Sequence, residues 1–402
     1  MKFINILFFF LANICFAQDT TCTWKFYDGV EYRGFQLERV LTDSRLWQVD
    51  AICFNSCGSS IKVASINVKE HLNLLSFIRN YNNFQDMAIS GNYLWFNNSS
   101  FSRVFDIVDL SNPKLIKMDA DRYVGKFSRL SANENVVGII SAKYGVDFYS
   151  PNPVDLSDSC ILSSLHVGQS YDIFELHQTY PSSISITGSL AYIGIGNGIL
   201  VLDISGMISS NFTEPPKFVI LVKTGIPSNI LVASGDRVFV GSGIEPKAKV
   251  TEFRFTQIDG IVELKKLWEF KTSYRPYDMD IYDGVLAINE NTMGKPAAPG
   301  ICSFWNINDN SAIPIKMSQV GEESSVYRTI GISSEYGYSY WMDFLKRIDI
   351  KTGLVNSDTL LAFDNASFGL KIIPILREIN GIKRWVLVSV MDNGTVSIVE
   401  TD

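Results

Sequence analysis

Histidine is nearly absent from this chain: His71, His166 and His177 are the only three in 402 residues, and they stand far apart. Neither a histidine-built metal cage nor a locally encoded Ser-His-Asp system is therefore written into it. No Gly-x-Ser-x-Gly elbow and no His-Glu-x-x-His helix occurs, so no catalytic residue is assigned. Lys and Arg form no cluster, and a formal charge of −7 excludes the counterion-replacing surface that nucleic-acid binding needs. Apolar runs are short. Residues 184–202 are the most hydrophobic and are broken by glycine and polar residues, below the roughly 20 residues of a transmembrane span. Six cysteines are too few to build a scaffold of this length, so a packed core has to hold the fold.

The N-terminus carries the first positive signal. Lys2 precedes a short apolar stretch, 4–14, with Phe8-Phe9-Phe10, and the stretch ends at Cys15-Phe16-Ala17-Gln18. This is the layout of a signal peptide with the small Ala17 before the cut. The expectation is a leader over 1–17 and a mature chain over 18–402, secreted or held at the cell surface, and periplasmic in a Gram-negative cell. A lipid anchor on Cys15 fits less well, since Asn13 and Ile14 replace the small residues that precede a lipidated cysteine. The mature chain keeps Cys22, Cys53, Cys57, Cys160 and Cys302, an odd number that allows at most two internal disulfides. Cys53 and Cys57 are spaced to bridge a hairpin turn.

The rest of the chain repeats itself. In the clearest unit, 183–187 alternates polar and apolar residues, Gly188-Ser189 turns, 191–195 follows, Asn197-Gly198 turns, and 199–204 and 217–222 complete four strands. β-Branched residues at period two suit a pleated, buried surface, and Asn-Gly suits a tight hairpin. The order recurs at 86–118 and 231–270 and, in worn form, at 277–317 and 328–363. Another unit spans 135–167, a divergent copy spans 46–78, and the last copy, 370–399, lacks a fourth strand. Four-stranded meanders of about 45 residues are the blades of a β-propeller. The expectation is an all-β, single-domain propeller of eight blades, or seven if the divergent copy is an appendage. An N-terminal strand, 24–32, supplies the missing strand and closes the ring, removing an exposed edge.

Two units also resemble the LVIVD repeat family. The carriers are Gly91-Asn92-Tyr93-Leu94 with Val104-Phe105-Asp106-Ile107-Val108-Asp109-Leu110-Ser111-Asn112-Pro113, and Gly198-Ile199-Leu200-Val201-Leu202-Asp203-Ile204-Ser205. Other units depart from the pattern: 304–308 and 348–351 lack the Asp-Pro ending. The resemblance implies a propeller on an extracellular or cell-surface protein and brings no activity with it. The Asp after each apolar run is expected to bond its own backbone and start a turn. Gly194-Ile195-Gly196-Asn197-Gly198 sits between strands, so it reads as a hairpin and not as a dinucleotide-binding loop.

Propellers bind ligands at the mouth of the central channel, where the first strand of each blade begins. The residues there are Asp86, Ser183, Asp278 and Arg328, with Asp280 one step further in. Converging carboxylates suit a hard cation such as calcium, although no cofactor is required by any motif. Glycosylation sequons stand at Asn97, Asn98, Asn211, Asn365 and Asn393. The leading expectation is a non-enzymatic extracellular scaffold that binds a protein or glycan. The alternative is a metal-dependent, lactonase-like propeller hydrolase with a carboxylate-held divalent ion in the channel.

Overall fold

A computed structural model of the chain describes residues 84–98, 102–111, 113–119, 129–141, 145–151, 168–172, 180–228, 230–243, 247–291, 300–308, 313–322, 327–341, 344–356, 369–379, 381–391 and 395–401, with short strands at 23–25, 31–33, 36–37, 47–49, 64–66 and 72–79. Among the described residues the elements are β-strands apart from one turn of helix, Ser205–Ser209.

The local rule is clearest in the third sheet. Pro181–Thr187, Leu190–Ile195, Gly198–Asp203 and Lys217–Lys223 pair in chain order, all antiparallel. Gly188 takes φ +54, and Gly91 and Gly235 take the same conformation in the same turn of the first and fourth sheets. A side chain is strained there, which is why glycine recurs after the first strand. The second hairpin turns on Gly196-Asn197, one residue earlier than the Asn197-Gly198 pair suggests, because Gly198 already pairs with Ile195.

The ends of four third strands, in the first, third, fifth and sixth sheets, are held by one device. Asp106 Oδ1 accepts the Val108 N–H at 2.8 Å, and Asp203 Oδ1 accepts the Ser205 N–H at 2.8 Å. Asn306 and Asp349, in units that depart from the repeat pattern, do the same for Asn308 and Lys351. The next residue, Ile107, Ile204, Ile307 or Ile350, is buried and donates its N–H to the first turn of its own sheet, at Asn92, Ser189, Gly284 and Glu335. Each of these four units thus stops its strand with a polar cap and locks it with an apolar plug.

Six four-stranded sheets follow one another at 84–119, 130–172, 181–223, 230–271, 275–322 and 327–356. A seventh is formed by Gly369–Ile379, Ile382–Met391 and Thr395–Thr401 together with Leu72–Arg79, which pairs with Thr395–Thr401. The first strands of these seven sheets pack side by side in a closed cycle, the seventh against the first. The strand beside the C-terminal one is therefore Leu72–Arg79, and not the 24–32 segment. That segment contributes Thr23–Lys25 and Glu31–Arg33 further out on the same sheet. In the divergent copy, Trp47–Val49 pairs with Ala64–Ile66 as a separate two-stranded ribbon. Seven sheets of four or more strands thus stand where eight repeats are read, because the last strand of the divergent copy belongs to the seventh sheet. The second sheet has a first strand, Leu130–Ala132, that the sequence pattern does not show. The strands expected at 161–167 and 359–363 lie outside the described residues; the fourth strands there are Gly168–Asp172 and Val355–Asn356.

The core lies between sheets. Val136, Ile140 and Phe148 of the second sheet pack with Ile184, Ile193, Leu200, Ile204 and Met207 of the third. Met87, Leu94 and Phe96 of the first pack with Val386, Val388 and Ile398 of the seventh. Ile204→Ala is expected to cost about 2–5 kcal/mol through lost burial and a residual cavity. Asp203→Ala, which removes the cap alone, is expected to cost about 1 kcal/mol. Urea unfolding of both variants checks the ranking.

Candidate functional site at the channel mouth

Each first strand has one edge that no strand of its own sheet covers, and its buried N–H groups need acceptors. The structure supplies them from the preceding sheet. Asp86 Oδ2 accepts the Leu130 N–H at 2.8 Å. Ser131 Oγ accepts Ile186 N–H at 2.9 Å, Ser185 Oγ accepts Ala233 N–H at 2.9 Å, and Thr187 Oγ1 accepts Gly235 N–H at 3.0 Å. Asp278 Oδ2 accepts the Thr329 hydroxyl at 2.9 Å and the Ile330 N–H at 3.1 Å; Asp280 Oδ2 accepts the Ile332 N–H at 3.0 Å. The second oxygens of Asp86, Asp278 and Asp280 accept the N–H groups of Met87, Met279 and Ile281. Ser183 donates to the Ser228 carbonyl, 2.6 Å away, just ahead of the fourth sheet.

A backbone irregularity sets these positions. The pairing of first and second strands shifts register immediately before Asp86, Ser183, Asp278 and Lys371, in the first, third, fifth and seventh sheets. A bulge re-aims the side chain that follows it. The four residues therefore occupy equivalent places around the ring. Opposite Ser183 the second strand carries Gly194, where an added Cβ would lie 2.1 Å from the Ser228 oxygen and 2.3 Å from Ser183 Oγ. The glycine run 194–198 is thus structural, a close approach followed by a hairpin turn.

Lys371, which sequence reasoning did not single out, brings charge of the other sign. Its ammonium lies 3.9 Å from Asp278 Oδ1, two sheets away, and both side chains are largely sheltered. Burial acts to lower its pKa, but Asp278, with Asp86 and Asp280, outweighs burial and holds the ammonium above its ordinary value. A single lysine inside the apolar strand Gly369–Ile379 is the signal that could have found it. Burial pushes the Asp280 carboxyl up to about 6, opposed by its bonds to Ile332 and Ile281 and by Lys371.

Of the expected mouth residues, Asp86, Ser183, Asp278 and Asp280 are brought to the inner strands, where they bond one sheet to the next. Arg328 lies in the first strand of the sixth sheet, Tyr327–Ile332, and its side chain is outside the described residues. Among the described residues no three His, Cys, Asp or Glu side chains are grouped to hold a metal ion. Cys302 is a free, fully buried thiol, and burial pushes its pKa up to about 12, so it takes no part in a disulfide. Cys53 and Cys57 lie outside the described residues, as do Asn365 and Asn393. Asn97 is fully buried, so its amide is closed to a glycosyltransferase in the folded chain, whereas Asn211 is exposed at φ +51. The Asn98 side chain is outside the described residues.

Meanders with bulge-aimed inner residues, set in a closed cycle, define a β-propeller-like fold. The LVIVD repeat model matches residues 83–118 and 180–216, the first and third sheets. No curated protein sequence matches the chain. Among solved structures, the N-terminal domain of Nup159 aligns over 82% of this chain and 95% of its own, at 11% identity and a TM-score of 0.51. A hypothetical selenium-binding protein from Sulfolobus tokodaii aligns over 90% and 92%, at 11% identity and a TM-score of 0.49. At 11% identity the likeness to the Nup159 domain is one of fold.

Two predictions follow from the caps. Asp86→Ala strands the Leu130 N–H and is expected to destabilise the fold by about 1–3 kcal/mol in denaturant titration. Asp280 has a folded pKa above its unfolded value of about 3.9, so the native state binds the extra proton between the two. Stability is therefore expected to fall as pH rises from about 4 to about 6, and Asp280→Asn is expected to flatten that window. Thermal melts across the range read the difference.

Proposed function

We propose that this chain is a secreted or cell-surface scaffold that captures a protein or glycan partner through the loops of its ring and catalyses no reaction. The observation that carries the reading is how the mouth carboxylates are used. Both oxygens of Asp86, Asp278 and Asp280 accept backbone hydrogen bonds, one from the following residue of the same strand and one from the next sheet, and Lys371 supplies the opposing charge. A carboxylate committed in this way is a poor ligand for a divalent ion, which needs several free oxygens converging on one point. A metal-dependent hydrolase would have to dismantle these caps to bind its ion. The secreted or surface location rests on the leader-like layout of residues 1–17 and on the LVIVD repeats. Glycosylation of the exposed Asn211 belongs to the same reading.

The test is metal content and thermal stability of the purified mature chain before and after chelation. The expected result is no stoichiometric metal and a melting temperature unchanged by chelator. Stoichiometric calcium or zinc with a chelator-sensitive melt overturns the reading in favour of the hydrolase. Expression with the native N-terminus in a secreting host is expected to release a chain beginning at Gln18.

A further inference from the structure

The large hydrophobic side chains that stay exposed are not spread evenly. In every sheet the turn after the first strand and the loop after the third lie at one end of the ring, opposite the mouth. At that end, the adjoining fifth, sixth and seventh sheets present Tyr282, Ile313, Ile315, Leu354, Leu376 and Ile382 to solvent, and Val108, Phe218, Ile258 and Ile261 extend the same end over the first, third and fourth sheets. Tyr282 and Ile313–Ile315 belong to the fifth sheet, Leu354 to the sixth, and Leu376 and Ile382 to the seventh. Leu354 is 71% exposed and Ile315 67%, values that a folded chain does not leave on aliphatic side chains without cost.

The long hairpin of the seventh sheet makes these residues one surface. Gly369–Ile379 and Ile382–Met391 run to a turn at Gly381. Trp385 meets Tyr282 of the fifth sheet edge-to-face, with ring centroids 5.1 Å apart, and the Arg377 guanidinium donates to the Gly91 carbonyl of the first sheet. The hairpin therefore leans from the seventh sheet toward the fifth, with Leu376 opposite Trp385 and Ile382 at its turn. The six side chains expose on the order of 600 Å2, the upper end of what a monomer leaves bare and close to one partner's share of a standard interface.

We propose that this end of the ring is the interface of a symmetric homodimer. The occupant is chosen by charge. The chain as a whole carries −7. Around the apolar residues, however, exposed acids and bases alternate: Asp283, Glu335 and Glu378 against Lys316, Lys351 and Lys383. A two-fold interface sets a patch against itself, so it requires apolar residues at its centre and both signs of charge in balance around them. A strongly basic partner would instead call for an acidic patch, and a membrane with anionic headgroups for a basic one. The mouth faces the other way, so both mouths of the dimer stay open.

The experiment is sedimentation equilibrium and light scattering of the mature chain between 1 and about 100 µM, a range set by the weak-to-moderate affinity such an area supports. The expected mass is twice that of the monomer. Leu354→Lys combined with Ile382→Lys is expected to give monomers with an unchanged melt extrapolated to low concentration, since neither side chain is in the core. Tyr180→Lys, a comparably exposed position ahead of the first strand of the third sheet and so at the mouth end, is expected to remain dimeric. A wild-type chain that stays monomeric throughout overturns the proposal. So does a dimer that survives the Leu354/Ile382 pair, or one that this pair and Tyr180→Lys dissociate equally. Metal content and chelator sensitivity do not enter these readouts, so this proposal and the scaffold reading fail independently.

Discussion

The uncovered inner edge of every sheet is the constraint on which this architecture turns. A sheet whose first strand faces a channel leaves a row of N–H and C=O groups without strand partners, and a buried one costs as much as a lost hydrogen bond. Here the acceptor comes from the neighbouring sheet: Asp86 for the second, Ser131 for the third, Ser185 and Thr187 for the fourth, Asp278 and Asp280 for the sixth. Because each cap crosses a junction, satisfying the backbone also fixes how sheets sit against one another. Where the first strand of the fourth sheet offers only Ile230 and Val232, the junction to the fifth sheet is apolar, packed by Phe239, Met279 and Ile281. There the connection is held further out by buried Glu290, which accepts N–H groups from Ser273 and Tyr274.

This use of polar residues changes how the mouth is understood. Aspartates gathered at the start of inner strands look, in sequence, like ligands for a cation. In the structure, bulges aim them at backbone donors across the junction. Lys371 then balances a group of sheltered negative charges that would otherwise repel one another. The same economy governs the third strands, where Asp106, Asp203, Asn306 and Asp349 turn the chain and the isoleucine that follows seals it.

Much of this was legible in the residues, and what was not shares one physical cause. Strand existence, the glycine turns after the first strands, the Asp turns and the all-β class follow from contacts within a few residues, which sequence pattern records. Partner choice does not. Leu72–Arg79 reads as an ordinary strand of its own unit, and nothing local says that it pairs with Thr395–Thr401, so the sequence leaves eight blades, or seven with the divergent copy as an appendage. The alternation at Asp86 and Asp278 is likewise visible, but the bulge that precedes them and the neighbouring sheet's N–H that they meet are products of packing. Leu130–Ala132 was missed because three residues are too few to show a period.

The pairing of Leu72–Arg79 with Thr395–Thr401 also imposes an order in time. The strand that completes the last sheet is synthesised first and must wait, unpaired, until nearly the whole chain has been made. Six sheets have all their own strands earlier, but the seventh has none of its hairpin partners until the final thirty or so residues emerge, and without it the first and sixth sheets have no neighbour to cap or cover them. A chain exported during or just after synthesis would cross its membrane in an open form, and the ring would lock only on the far side. The clasp thus keeps the ring open until the last residues of the chain are made.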